Sequence, residues 1–315
     1  MTYLLLLVGF ALLIKGADYF VEGSSKIAGL LNVPPILVGL TIVAFGTSSP
    51  EATVSIITAI EGNADVAVGN VVGSNIFNIT FVVGITAMIN PLKVENATIR
   101  KEIPFTFLAS IALFVMMGDL ALQNATVNTI SRTEGILLLL FFSVFLYYII
   151  EVGRNNRNSV VTETTDKKWG KNIAFTLGGL AAIIFGGDLV VDNSIKIAYS
   201  FGMSETLVGL TIVAVGTSLP ELVTSITAAI KKQSEIALGN IVGSNIFNIF
   251  FVLGASSVIS PLPVDGKILI DVILMLILTI VLFVFSRTEF KIAKSEGGIL
   301  AVAYIAYMVF IILRG

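Results

Sequence analysis

The 315-residue chain has no cysteine and no histidine. Disulfides, thiolate nucleophiles, imidazole bases and the usual zinc sites are excluded together. Charge is also scarce: 13% of residues are Asp, Glu, Lys or Arg, about half the ~25% of an ordinary soluble domain. A net charge of -2 gives no electrostatic case for an acidic or basic partner, and no basic run points to nucleic acid. No P-loop occurs, so neither a nucleotide nor an ATP-driven pump is expected. Apolar residues fill the gap, at 56% of the chain, and the mean hydropathy is +0.96. Little room is left for a soluble domain, and the main partner is a lipid bilayer. The N-terminus, Met-Thr-Tyr-Leu-Leu-Leu-Leu, lacks a basic n-region and reads as a first span rather than a cleaved signal.

A spanning helix needs roughly 20 mainly apolar residues. Ten segments meet that pattern, at about 3–23, 35–60, 66–90, 103–123, 134–150, 172–192, 206–230, 236–259, 268–286 and 297–313. Basic residues favour the cytoplasm. With the N-terminus outside, fourteen Lys and Arg fall in inner loops and four (Arg132, Lys196, Lys267 and Arg314) outside. Both termini are therefore expected outside the cytoplasm, in a multi-pass protein of the cell inner membrane. The loop at 151–171 is then cytoplasmic and too short for a regulatory domain.

Shifted by 170 positions, the sequence overlays itself. Gly39–Glu51 reads GLTIVAFGTSSPE and Gly209–Glu221 reads GLTIVAVGTSLPE, with eleven of thirteen positions identical. Gly69–Ile79 (GNVVGSNIFNI) and Gly239–Ile249 (GNIVGSNIFNI) match at ten of eleven. Each repeat holds five spans, so the second enters the membrane from the opposite side. The expected fold is all-α and integral to the membrane, with ten transmembrane helices in two inverted five-helix halves, 1–150 and 172–315. This is a common architecture of secondary transporters. A duplicated scaffold alone explains repeated apolar stretches, but not why the near-identical segments are the polar ones.

Glu51 is the only charged residue between Ile27 and Ile60, and Glu221 the only one between Thr206 and Ile230. A carboxylate at membrane depth is costly and functional by default. Thr47 and Ser48 lie four and three residues before Glu51, on its helical face, and Thr217 and Ser218 repeat this for Glu221. Pro50 and Pro220 lack an N–H, so the carbonyls of Gly46 and Gly216 lose a helical donor. Carbonyls freed in this way are hard oxygen ligands for Na⁺ or Ca²⁺. Ser74 with Asn78, and Ser244 with Asn248, add hydroxyl and amide oxygens at i and i+4. Asn75 and Asn245 are expected to bridge helices. Gly69, Gly73, Gly239 and Gly243 permit close helix approach. No soft ligand is present for copper or zinc. Two glutamates balance one Ca²⁺ or two Na⁺, and binding both loads together would overcharge the site. Asp18, Glu22, Asp188 and Asp192 sit toward the ends of the first and sixth spans and read as solvated interface residues. Asp119 and Asp271, near other span ends, need no special role.

The paired GTSxPE and GNxxGSNxxN segments resemble the alpha-repeats of the calcium/cation antiporter superfamily, and the chain looks like its prokaryotic sodium/calcium exchangers over its whole length. The resemblance implies a secondary antiporter exchanging Na⁺ for Ca²⁺ by alternating access. The second, third, seventh and eighth helices would surround ions near the midplane. Carried over by motif position, the metal ligands are Thr47, Ser48, Glu51, Ser74 and Asn78 with the carbonyl of Ala44. In the second half they are Thr217, Ser218, Glu221, Ser244 and Asn248 with the carbonyl of Ala214. The first and sixth helices would form a sliding gate, with Gly16 and Gly186 able to bend. Some relatives carry Asp where Asn78 or Asn248 stands, and here both are Asn. Proton/calcium exchange therefore stays as the near alternative, and a cation channel as one of another class. No enzyme activity, no cofactor and a monomer are expected; the ligands are inorganic cations, Ca²⁺ and Na⁺, with H⁺ as a possible third.

Overall fold

A computed structural model describes residues 1–122, 126–156, 168–202 and 214–314. Most of the expected loop at 151–171 lies outside these, as does the start of the seventh span with Gly209–Val213 of the repeated motif.

The main helices are α1 (Thr2–Leu31), α2 (Pro35–Thr47), α3 (Ser49–Ile60), α4 (Ala64–Ile89), α5 (Ile103–Met116), α6 (Arg132–Asn156), α7 (Trp169–Ser200), α8 (Leu219–Ile230), α9 (Ser234–Ile259), α10 (Gly266–Arg287) and α11 (Lys294–Arg314). Among the described residues, seven are long and apolar enough to cross a membrane: α1, α4, α6, α7, α9, α10 and α11. The pair α2–α3, bent by 48° at Ser48, makes an eighth span. The protein is thus an all-α, multi-pass integral membrane protein. Among the described residues, strand structure is confined to two antiparallel ribbons, Leu92–Lys93 with Lys291–Ile292 and Asn128–Ile130 with Leu262–Val264.

α1 runs further than the expected 3–23. Glu22 and Lys26 form an i,i+4 ion pair at 2.6 Å on the helix surface. The helix continues until Asn32 caps it in the left-handed conformation, φ 54°. Its 30 residues span ~45 Å at about 1.5 Å per residue, which exceeds a ~30 Å hydrocarbon core.

α1 and α7 pack antiparallel through glycines spaced by seven. A Cβ at Gly16 would lie 2.9 Å from the Gly179 carbonyl, and one at Gly186 would lie 2.8 Å from that of Gly9. Both helices are continuous through these positions. Gly16 and Gly186 therefore permit close backbone approach at this crossing.

α4 and α9 form the interior. Buried residues make up 94% of the apolar stretch of α9 and 72% of that of α4, against 28–33% for the five outer helices. α2 crosses α9 where side chains are missing: a Cβ at Gly239 would meet the Ile36 carbonyl at 2.7 Å, and one at Gly243 the Leu40 carbonyl at 2.6 Å. The 170-residue offset relates Gly239 and Gly243 to Gly69 and Gly73, and Ile36 and Leu40 to residues 206 and 210, which lie outside the described residues.

Candidate ion-binding site

The site lies where the α2–α3 break and the start of α8 meet α4 and α9. Pro50 occupies the first turn of α3, where a missing N–H costs nothing. The chain turns at Ser48 (φ -83°, ψ 7°) and restarts at Ser49. Ser218 turns in the same way (φ -92°, ψ 8°) ahead of Pro220. Glu51 and Glu221 thus each stand in the first turn of a half-helix, and both are fully buried.

The break changes which groups meet. On an unbroken helix Ser48 would share the face of Glu51. Instead, Ser48 Oγ donates to Glu221 Oε1 at 2.7 Å, and Ser218 Oγ donates to Glu51 Oε1 at 2.8 Å. Ser218 also contacts Ser74 Oγ at 3.0 Å, and Ser244 lies 3.5 Å from Glu221 Oε1. Thr47 Oγ1 bonds Asn240 Oδ1 at 3.0 Å, and Thr217 Oγ1 reaches Asn70 Oδ1 at 3.4 Å. Hydrogen bonds thus link Ser48, Glu221 and Ser244 in one group and Ser218, Glu51 and Ser74 in another, with Thr47 and Thr217 held by Asn240 and Asn70, while Asn78 and Asn248 bond Asn245 and Asn75. Thr217 alone is only partly buried. The Ala44 carbonyl accepts from Ser48 N at 2.9 Å and from Thr47 Oγ1 at 3.3 Å, so its lone pairs are engaged here. Ala214 opens a single helical turn, Ala214–Gly216, that leads into the break.

Helical winding loosens beside these residues. π-helical turns cover Gly39–Val43, just before Ala44, and begin at Asn78 and Asn248 on α4 and α9. Such turns concentrate at functional positions.

Among the described residues, four oxygens of the expected ligand set are buried and have no partner: Glu51 Oε2, Glu221 Oε2, Asn78 Oδ1 and Asn248 Oδ1. They form two pairs, each related by the 170-residue offset. All four are acceptors, and an unpaired buried carboxylate costs several kcal/mol. Among the described residues, the side-chain partners of both glutamates are hydroxyls, not Lys or Arg. Two negative groups and two amide oxygens without a donor make a hard, oxygen-only cradle for a cation. The described residues hold no cluster of three or more Asp, Glu, His or Cys, so neutral oxygens must complete any coordination shell.

The expected set omitted a supporting ring. Asn70 Nδ2 donates to Ser55 Oγ at 2.9 Å and to the Glu51 carbonyl at 3.3 Å; Asn240 does the same to Ser225 at 3.0 Å and Glu221 at 3.4 Å. Both asparagines also accept from the threonine of the other half. The signal was available: Asn70 and Asn240 lie within the repeated motif, and Ser55 and Ser225 obey the same offset.

The other acids serve elsewhere. Asp18 pairs with Lys231 at 2.6 Å, and Asp271 with Arg314 at 2.8 Å. Asp119 Oδ2 accepts from Thr129 N at 2.9 Å.

Comparison with known proteins identifies the family. The sodium/calcium exchanger protein family matches residues 1–151 and 171–313. CaxA of Alkalimonas amylolytica is 40% identical over 316 residues, covering 96% of this chain and 95% of its own. The inner membrane protein YrbG of Escherichia coli is 36% identical over 270 residues, covering 83% and 81%. A solved structure of the sodium-calcium exchanger NCX_Mj, soaked with 2.5 mM Na⁺ and 10 mM Sr²⁺, superposes with a TM-score of 0.85 at 30% identity, covering 98% and 99%. With broken helices, paired carboxylates and near-complete coverage all in accord, the chain belongs to the sodium/calcium exchanger protein family.

Proposed function

We propose that Glu51, Glu221, Asn78 and Asn248, with the hydroxyls of Thr47, Ser48, Ser74, Thr217, Ser218 and Ser244 and the carbonyls of Ala44 and Ala214, bind the exchanged cations. The protein is a secondary antiporter that exchanges Na⁺ for Ca²⁺ by alternating access, a transporter rather than an enzyme. The observation that carries the site assignment is the set of four partnerless oxygens, two from each half, with no cationic side chain among them. Ca²⁺ takes six to eight oxygens at about 2.3–2.6 Å, and the four unpaired atoms plus neighbouring hydroxyls can supply them. Two ionised glutamates balance one Ca²⁺ or two Na⁺. Either load neutralises the site, and both together would overcharge it, so binding is mutually exclusive.

The ten-span arrangement follows if α5 and α8 also cross. α5 is preceded by the π-helical turn Thr98–Glu102, and α8 by residues of the repeated motif. The halves 1–150 and 172–315 then insert in opposite senses, with both termini outside the cytoplasm. A location in the cell inner membrane accords with the similarity to YrbG. One chain carries both halves of the site, so a monomer suffices.

The absence of a third carboxylate, with Asn at both 78 and 248, favours a second reading, H⁺ in place of Na⁺. Purified protein in liposomes separates the two. ⁴⁵Ca²⁺ uptake is measured under an outward Na⁺ gradient, an outward H⁺ gradient, or neither. Uptake driven by Na⁺ is expected, and uptake with H⁺ alone would remove the sodium assignment. Accumulation with no gradient would indicate a channel. Glu51→Gln and Glu221→Gln should each abolish exchange; normal transport in both would show that the ions bind elsewhere.

A further inference from the structure

Asn75 and Asn245 follow directly on the serines of the repeated segment, where α4 meets α9. Asn75 Nδ2 donates to the Asn245 backbone carbonyl at 3.3 Å. A carbonyl can only accept, so this bond fixes which end of the Asn75 amide is nitrogen. Its Oδ1 is then the end that meets α9, and it accepts from Asn248 Nδ2 at 3.2 Å. That bond fixes Asn248 in turn. With its nitrogen engaged by Asn75, the oxygen is the end left over, buried and without a partner. The other half repeats the second of these bonds, without the backbone anchor: Asn78 Nδ2 donates to Asn245 Oδ1 at 3.3 Å, and Asn78 Oδ1 is left buried and unpaired among the described residues. All four asparagines are at most 1% exposed, so water cannot substitute for these partners.

From this geometry we infer that Asn75 and Asn245 are positioning residues for the ion site, a role beyond helix bridging. Each sets the rotation of one ligand amide, so that Asn248 and Asn78 present oxygen rather than NH₂ to the cation. The inference rests on the site assignment above. An amide has nearly the same shape after a 180° turn, so packing alone cannot choose between its ends. A turned amide would aim N–H dipoles at the cation and replace an attractive ligand with a repulsive one. The residue that prevents this belongs to the opposite half in each case. Partners that orient a ligand typically contribute 10–100-fold in metal affinity.

A double-mutant cycle tests the inference, with ⁴⁵Ca²⁺ binding to purified protein and the KM and kcat of exchange in liposomes as readouts. Asn75→Leu keeps the approximate volume and removes the acceptor. The expected result is a Ca²⁺ Kd and KM raised about 10–100-fold, with a much smaller change in kcat. In an Asn248→Ala background there is no amide to orient, so Asn75→Leu should then change Kd by less than about twofold, a coupled rather than additive response. An equal Asn75→Leu effect in both backgrounds would overturn the positioning role. If Asn248→Ala by itself leaves Ca²⁺ binding unchanged, the site assignment fails instead. Should Asn75→Leu not fold, the symmetry-related cycle of Asn245→Leu with Asn78→Ala applies the same criteria.

Discussion

Ser48 donates to Glu221 at 2.7 Å across 173 positions of sequence, and Ser218 returns the bond to Glu51 at 2.8 Å. Each serine belongs to one half and each carboxylate to the other. Neither half therefore contains a complete site. The exchange of partners follows from the proline break, which takes each serine off the face of its own glutamate and aims it across the interface.

Ser48→Ala and Ser218→Ala should weaken Ca²⁺ binding to similar extents. Each leaves a buried carboxylate oxygen without its hydroxyl donor. A hydrogen bond to a charged group contributes about 1.5–3 kcal/mol, or roughly 10–100-fold in affinity. The KM for ⁴⁵Ca²⁺ uptake in liposomes measures it. A large effect from one serine and none from the other would contradict a reciprocal site.

Asn240→Leu should destabilise the fold more than it alters ion selectivity. Asn240 joins Ser225, the Glu221 carbonyl and Thr47. Each buried group left unsatisfied costs about 1–3 kcal/mol. Thermal unfolding in detergent should show a lower Tm, with the ratio of Na⁺ to Ca²⁺ affinity nearly unchanged. A selectivity change at normal stability would place Asn240 among the ligands.

Gly16→Ala separates close packing from bending. In a hinge, alanine would stiffen the helix and add about 1 kcal/mol of helical stability. At the α1–α7 crossing its Cβ would lie 2.9 Å from the Gly179 carbonyl and the Ile183 nitrogen. A lower Tm and slower turnover are expected, with Ca²⁺ KM unchanged because α1 contributes no residue to the site. Gly178→Ala, which enters open space beside Gly179, is the control and should preserve Tm. Higher stability in Gly16→Ala would restore the hinge.

The site was legible because two signals coincide in the sequence. Lone carboxylates in apolar segments mark the chemistry, and the 170-residue offset marks the geometry. Proline explains the breaks at Ser48 and Ser218 from covalent structure alone. The pairing of Ser48 with Glu221 was not legible, because periodicity describes a straight helix and does not say which helix a serine faces once the helix is broken. Asn70 and Asn240 were visible as repeated residues, but their partners lie on other helices. α1 continues past the apolar segment at 3–23 because Glu22 and Lys26 satisfy each other on the helix, a contact that hydropathy does not register. Gly16 read as a point of bending, and its close contact with α7 needed that helix to be placed against it.

The tie between Lys231 and Asp18 predicts an asymmetry between the two sides of the protein. Lys231, at the end of α8, lies 2.6 Å from Asp18 Oδ1 and 2.7 Å from the Asp18 carbonyl on α1. The 170-residue offset carries Lys231 onto Glu61 and Asp18 onto Asp188, and two acids cannot form the equivalent tie. One side thus has an ionic contact between α1 and α8 whose symmetry counterpart, between Glu61 and Asp188, cannot form. The two side chains are 28% and 40% exposed, so solvent screens the pair and its worth is about 0–1 kcal/mol. That is a bias rather than a lock, up to roughly fivefold in a two-state population. Lys231→Met should shift the carrier toward opening on the Lys231 side. Glu61→Lys should build the missing contact with Asp188 and shift it the same way, by holding the opposite side closed. Because the chain has no cysteine, Thr224→Cys gives a probe without background. Thr224 is buried without a hydrogen-bond partner, between Glu221 and Lys231 on α8. Thiol labelling of that cysteine from the Lys231 side should quicken by up to about fivefold in either variant, and further in both together, if the tie biases the population. Unchanged labelling in Lys231→Met would mean that the pair only anchors α1.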